Sequence, residues 1–124
     1  MAQWTDARHV RGIQGERAVL AWLTSRGWLV EAHRFRAGRH DVDLIARRDN
    51  MVAFVEVKTR TSDRFGPAQE SVGWRKRRAL AWVAEVWRSR FGLPGDIYRF
   101  DVAVVTLVPG RSAAVSLVED AWRL

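Results

Sequence analysis

From Gln14 to Arg26 the apolar residues recur at helical spacing. Val19, Leu20 and Leu23 fall on one stripe, and Gly27 stands where a C-terminal cap belongs. The period then changes to that of a strand over WLVEAHRF (28–35), with Trp28 and Val30 on one face. AGRH turns the chain, DVDLIAR (41–47) reads as a second strand, RDN as a tight turn and MVAFVEVKT (51–59) as a third. These three predict an antiparallel meander. A loop over 60–67 closes on Gly66-Pro67, and helical spacing returns from about Gln69 to Phe91. There Val72, Ala79, Val83, Val86 and Trp87 form the apolar stripe, and Gly92-Leu93-Pro94-Gly95 ends it. IYRFDVAVVTLV (97–108) is a long apolar strand, expected at the centre of the sheet. Pro109-Gly110 leads into a weaker strand, AAVSLV (113–118), and EDAWRL reads as a closing helical turn. Residues 1–11 read as a loosely held arm. The order α-β-β-β-α-β-β predicts an α/β fold over residues 1–124, a mixed sheet flanked by helices in one domain.

Composition narrows the class. A chain of 124 residues, 48% hydrophobic with seven tryptophans, can bury one modest core. No run reaches the ~20 apolar residues of a membrane span, and the N-terminus lacks the apolar stretch of a signal peptide. With no cysteine, disulfides and thiolate zinc sites are excluded, and the cytoplasm is the expected compartment. The net charge of +7 and pI near 11.3 favour a polyanionic partner. Arginine dominance has a bland source as well, since a GC-rich genome writes arginine for lysine. Of 21 basic residues only Lys58 and Lys76 are lysine.

The candidate chemistry lies in DVDLIARRDNMVAFVEVKTR, residues 41–60. With period two, Phe54, Glu56 and Lys58 share a face, and Val55 and Val57 point the other way. By the same count Asp41, Asp43 and Ile45 share one face of the preceding strand, with Val42, Leu44 and Ala46 on the other. A hairpin closed at RDN brings Asp43 and Glu56 onto neighbouring strands. Two carboxylates ~4 Å apart repel by roughly 4 kcal/mol at an effective dielectric near 20. A divalent cation such as Mg²⁺ relieves that repulsion. Lys58, on the face of Glu56, can then meet a water or a phosphate oxygen, a kit suited to phosphodiester hydrolysis. Glu-x-Lys alone is a weak signal, because solvated strand faces produce it routinely. Glu16 lies on the sheet-facing stripe of the first helix, where an unpaired carboxylate is costly. It either reaches the metal, or caps the first turn or pairs with an arginine such as Arg17 or Arg39.

Together GERAVLAWLTSRGW, DVDLIARRDNMVAFVEVKTR, RFGPAQESV, KRRAL and RFDVAVV closely resemble the YraN-like family of uncharacterised bacterial proteins, over roughly Gln14 to Trp122. That family resembles the PD-(D/E)xK nucleases, the superfamily of Holliday-junction resolvases and many restriction enzymes. The resemblance implies a restriction-endonuclease-like fold and a Mg²⁺- or Mn²⁺-dependent DNA endonuclease acting on branched or damaged DNA. Asp43 and Glu56 would be its metal-binding acids, with the carbonyl of Val57 a further ligand. Lys58 would be its lysine, and Glu16 the helix-one glutamate beside the metal. The family commonly has Gly-Glu where His40-Asp41 stands here. Asp41 is one methylene shorter, which puts it in the supporting shell at most, and the resemblance implies that Gln69 helps position water or substrate there.

Arg75, Lys76 and Arg78 of the basic run, with Arg60 and Arg64 in the loop, are the expected DNA contacts. The bland counterpart is a solvated helix face. Asp101, in an otherwise apolar strand, is expected to pair with an arginine. Trp22, Trp28, Trp82 and Trp87 are expected in the core, and Trp74 exposed beside the basic run. No P-loop, dinucleotide fingerprint or Ser-His-Asp set is present, so neither a small-molecule cofactor nor a membrane is expected as a partner. A homodimer, common among junction-cutting enzymes, stays open. Two rival readings carry the same residues: a non-catalytic DNA-binding module that kept the fold, and a protein-interaction factor using exposed tryptophans.

Overall fold

The computed structural model describes residues 7–61 and 72–123. Helix α1 (Ala7–Ser25) precedes β1 (Leu29–Ala37), β2 (His40–Arg48) and β3 (Met51–Arg60). Helix α2 (Trp74–Phe91) precedes β4 (Ile97–Thr106) and β5 (Ala114–Trp122). One five-stranded sheet runs β1-β2-β3-β4-β5. The first three strands are the expected antiparallel meander, β4 lies parallel to β3, and β5 is antiparallel to β4. A parallel neighbour cannot follow from a tight turn, and α2 lies within the crossover that delivers it. Element order and mixed sheet are those the restriction-endonuclease-like resemblance implies.

Each face of the sheet has its own core. Val19 and Leu23 of α1 cover Leu44, Ala46, Ala53, Val55, Ala103 and Val105. On the other face Leu80, Val83 and Trp87 of α2 cover Ile45, Val52, Phe54, Val102 and Val104. Interior strands buried on both sides must read as near-continuous apolar runs, as β3 and β4 do. Aromatic rings dominate the α2 side: Phe54 meets Trp87 edge-on at 5.9 Å, and Phe100 stacks on Trp122 at 4.0 Å. Small residues line the α1 side, with Gly15 the extreme case. A Cβ at Gly15 would fall 1.9 Å from Thr59 Oγ1, so only glycine lets α1 lie this close to β3.

Helix α1 ends as its sequence predicts. Gly27 takes φ 83°, its N–H reaches the Thr24 carbonyl and the Trp28 N–H reaches that of Leu23. This double bond pattern is a Schellman cap, and Trp28 and Leu23 join the same core cluster, as such caps favour. Gly92 caps α2 in extended rather than left-handed backbone, its N–H donating to the Arg88 carbonyl at 2.9 Å.

Several expectations are corrected. Helix α1 begins at Ala7 rather than Gln14, so the second half of the expected arm is helical. Leu20 is 40% exposed, the stripe having rotated toward Val19 and Leu23. Helix α2 starts at Trp74, because the Gly73 N-cap is extended. Leu80 and Ala84 carry more of its burial than Ala79 and Val86. The middle strand is β3, with β4 beside it. EDAWRL is not a helical turn: β5 continues to Trp122, because Trp122 stacks on Phe100 while pairing with it. Trp82 is 57% exposed rather than in the core. Trp28 and Trp87 are buried as expected, Trp22 is half-buried, and Trp74 is exposed as expected.

Candidate functional site

The site begins where the sheet splits. The β2–β3 ladder stops at Leu44↔Val55, while β3 stays paired with β4 as far as Arg60. On the other side of β2, His33 pairs with Leu44 and Phe35 with Val42, but Arg34 and Asp43 between them do not pair. Arg34 takes φ 56°, a left-handed conformation rare for a long side chain. The two-residue alternation slips here, for Val42 and Ile45 pack on the α2 side and Leu44 on the α1 side. The expected grouping of Val42 with Leu44, against Asp41, Asp43 and Ile45, therefore fails at Asp43. The cause is local: Asp43 leaves the ladder, and its Oδ2 accepts the Val57 N–H at 2.7 Å. Both main-chain polar groups of a strand residue face the same side. The Val57 carbonyl thus opens on the gap beside Asp43.

Asp43 and Glu56 face each other across this split, close enough for each carboxyl to shift the titration of the other. Glu56 is only 6% exposed. Burial, and then the charge of Asp43, push its carboxyl up to about 7, against the pull of Lys76 and Lys58. Asp43 is raised too, by burial first, with the Val57 N–H opposing and the charge of Glu16 adding to the rise. Each carboxyl raises the other's affinity for a proton, because two like charges this close cannot both be ionised cheaply. Glu56 Oε1 is buried and finds no hydrogen-bond partner among the described residues.

Both lysines of the chain serve this pair. Lys58 follows two residues after Glu56 on β3, and Lys76 Nζ on α2 stands 3.8 Å from Glu56 Oε2. Lys76 was expected among the DNA contacts, and its packing against Glu56 gives it a second role. Glu16 is 8% exposed and is gripped by Arg34 Nη2 at 3.2 Å to both oxygens, with His33 Nε2 at 3.3 Å. The pairing arginine is thus Arg34, not Arg17 or Arg39. Asp43, Glu56, Lys58 and Lys76 come together, and Glu16 stands beside them already partnered. Asp41 and His40 are exposed at the start of β2. Arg60 ends β3 with Nε 3.4 Å from Thr106 Oγ1, and Arg75 and Arg78 are exposed on α2. Arg64 and Gln69 lie outside the described residues. Asp101 accepts from Arg99 Nε at 3.0 Å and from the Asp120 N–H at 2.9 Å, the expected structural role.

Sequence reasoning missed Arg34 and His33 and the placement of Lys76. The scarcity of lysine was the signal that could have found Lys76. Arg34 left none, since its role follows from a backbone slip.

The donor set fits a hard divalent cation. Two adjacent carboxyls, an orphaned Glu56 oxygen and a carbonyl in the same gap suit an ion that takes oxygen ligands and keeps several waters. No group of three or more His, Cys, Asp or Glu side chains gathers as a metal cage among the described residues. A small protein ligand set of this kind matches Mg²⁺ or Mn²⁺ better than structural zinc.

The model of the uncharacterised protein family UPF0102 matches residues 15–105. The chain belongs to that family. Similar UPF0102 proteins include one from Moorella thermoacetica, 36% identical over 119 residues, covering 95% of this chain and 99% of that one. Another, from Sorangium cellulosum, is 34% identical over 120 residues, covering 94% and 83%. A third, from Symbiobacterium thermophilum, is 37% identical over 113 residues, covering 90% and 95%. Among solved structures, Hjc, a Holliday junction resolvase from Archaeoglobus fulgidus, aligns with 84% of this chain and 74% of its own. Its TM-score of 0.46 and 17% identity are too slight to carry function. No described helix is long and apolar enough to cross a membrane.

Proposed function

We propose that this UPF0102 protein is a Mg²⁺- or Mn²⁺-dependent DNA endonuclease, with branched or damaged DNA as its substrate class. The observation that carries the reading is the Asp43–Glu56 carboxyl pair, half-buried at Asp43 and buried at Glu56, flanked by the only two lysines of the chain. Asp43, Glu56 and the Val57 carbonyl would hold the cation. When bound, it lowers the pKa of a water and offsets negative charge on the phosphate under attack. Asp43 is fixed for this by the Val57 N–H. Lys58 offers three N–H donors to the attacked phosphate or the attacking water. Lys76 neutralises Glu56 from the helix side. Glu16, held by Arg34 and His33, orients waters around the cation and tunes Asp43 by its charge. Arg60, Arg75 and Arg78 grip the DNA backbone, each phosphate contact adding salt-dependent affinity.

The test incubates purified protein with linear, flapped, nicked and four-way DNA in Mg²⁺ and in Mn²⁺. Lys58→Ala should lower cutting by about a hundredfold or more while DNA binding persists. Robust cleavage by that variant would sink the assignment. A non-catalytic DNA-binding module is the second reading, favoured by the commitment of Glu16 to Arg34 and His33 and by the exposure of Asp41. It predicts a steep salt slope without nicking by the wild type on any substrate of the panel.

A further inference from the structure

Helix α2 carries a second feature that the cleavage chemistry does not use. Trp74 and Trp82 are 63% and 57% exposed, whereas Trp28, Trp87 and Trp122 are buried. Trp74, Arg78 and Trp82 follow one another at four-residue steps along a single stripe of α2. With Arg75, Ala79 and His40 they line an open groove of about 400 Å³ between α2 and the start of β2. Among the described residues no carboxylate lines it. The Arg75 guanidinium lies over the Trp74 ring at 5.5 Å, and Arg75 is exposed.

We infer that this groove is a stacking site for the unpaired bases of single-stranded DNA. Two indoles at the solvent boundary are costly for a soluble surface, and they alternate here with guanidinium groups. A single strand presents the complementary alternation: flat apolar bases and phosphates. Duplex DNA hides its base faces and cannot use the indoles. Eight helical residues separate Trp74 from Trp82, or ~12 Å along the axis, a span of a few nucleotides. A second copy of the chain is a poor occupant, because a two-fold contact would set Arg75 and Arg78 against their own equivalents. In the chain, the groove's residues neighbour those of the carboxyl site. Arg75 precedes Lys76, and His40 stands three residues before Asp43. Choosing DNA rests on the nuclease reading; the stacking of a single strand does not.

The experiment measures binding of a labelled oligothymidine of about 12 nucleotides by fluorescence anisotropy, in EDTA so that cleavage plays no part. Wild type should bind it at least tenfold more tightly than the matching duplex. The double variant Trp74→Ala/Trp82→Ala should lose that affinity by tenfold or more, and Trp74→Phe/Trp82→Phe should retain most of it. Arg75→Gln/Arg78→Gln should lower the slope of log affinity against log salt by about 1.4, at ~0.7 per phosphate contact on a single strand. Thermal melts of each variant confirm that these exposed positions leave the fold intact. Equal oligothymidine binding by the alanine double variant overturns the inference, as does duplex binding as tight as single-strand binding. Lack of cleavage in metal would defeat the nuclease reading and leave this binding result standing.

Discussion

Glu56 illustrates how a single side chain can be destabilising where it stands and still be kept. Its carboxyl is buried beside another carboxyl and is pushed up to about 7, with one oxygen unpartnered among the described residues. A carboxyl whose folded pKa lies above its unfolded value of 4.5 binds more protons when native. Stability therefore falls as pH rises from about 4.5 through about 7, and the penalty is complete above that window. Glu56→Gln in EDTA should raise stability at pH 8 by on the order of 2 to 3 kcal/mol. That gain should shrink toward zero near pH 4.5. Urea unfolding across this pH range checks it, and a loss of stability at pH 8 would contradict the electrostatic account. The gap in which Asp43 and Glu56 meet depends on Asp43 leaving the ladder, but their place on neighbouring strands was legible because a short turn joins β2 to β3. Lys76 was not, since it reaches Glu56 from a helix that begins 18 residues later.

At the scale of elements, the approach of α1 to β3 sets where Glu16 can stand. Gly15 precedes it and touches Thr59 so closely that even a methyl group needs the helix or the threonine to move. Alanine favours an isolated helix over glycine by about 1 kcal/mol. Overpacking costs roughly 1 to 3 kcal/mol, so the clash should prevail. Gly15→Ala should lower the melting temperature, and Gly15→Ala/Thr59→Ala should recover part of the loss by removing Oγ1 and Cγ2. A differential scanning melt of the two variants decides it, with an unchanged midpoint for Gly15→Ala the contrary result. Helix ends with glycine were readable in advance, whereas helix starts were not. Trp74 follows a Gly73 N-cap that makes no side-chain hydrogen bond, so no capping side chain marked the start of α2.

Over the whole molecule, Asp96 ties the turn before β4 to β2 and to the end of α2. Its carboxylate accepts from Arg47 Nη1 at 2.6 Å and Nη2 at 2.9 Å and from the Leu93 N–H at 2.8 Å. Arg47 also reaches Glu31 on β1, so one guanidinium links three parts of the fold. The Arg47 hydrogen bonds, followed by the Leu93 N–H, hold the Asp96 carboxyl far below the ordinary carboxylate range. A depressed acid contributes stability that is present above its unfolded pKa, about 3.9, and is lost as pH falls toward its folded value. Asp96→Asn should therefore lower the melting midpoint at pH 7. The gap to wild type should narrow below about pH 4. Circular dichroism melts from pH 2 to 7 test this, and a gap that stays constant across the range would remove Asp96 as its source.

The sequence by itself determined the element order, the meander and the two-faced apolar strands. Each is a local consequence of periodicity, turn residues and the faces a strand presents. Only the tertiary structure decided the slip at Arg34 and Asp43, the hold of Arg34 on Glu16, the arrival of Lys76 and the exposure of Trp82. The physical reason is common to all four. A side chain's partners across the sheet, and the rotation of a helix upon it, follow from how two cores are filled at once. Sequence spacing along one element carries no information about that.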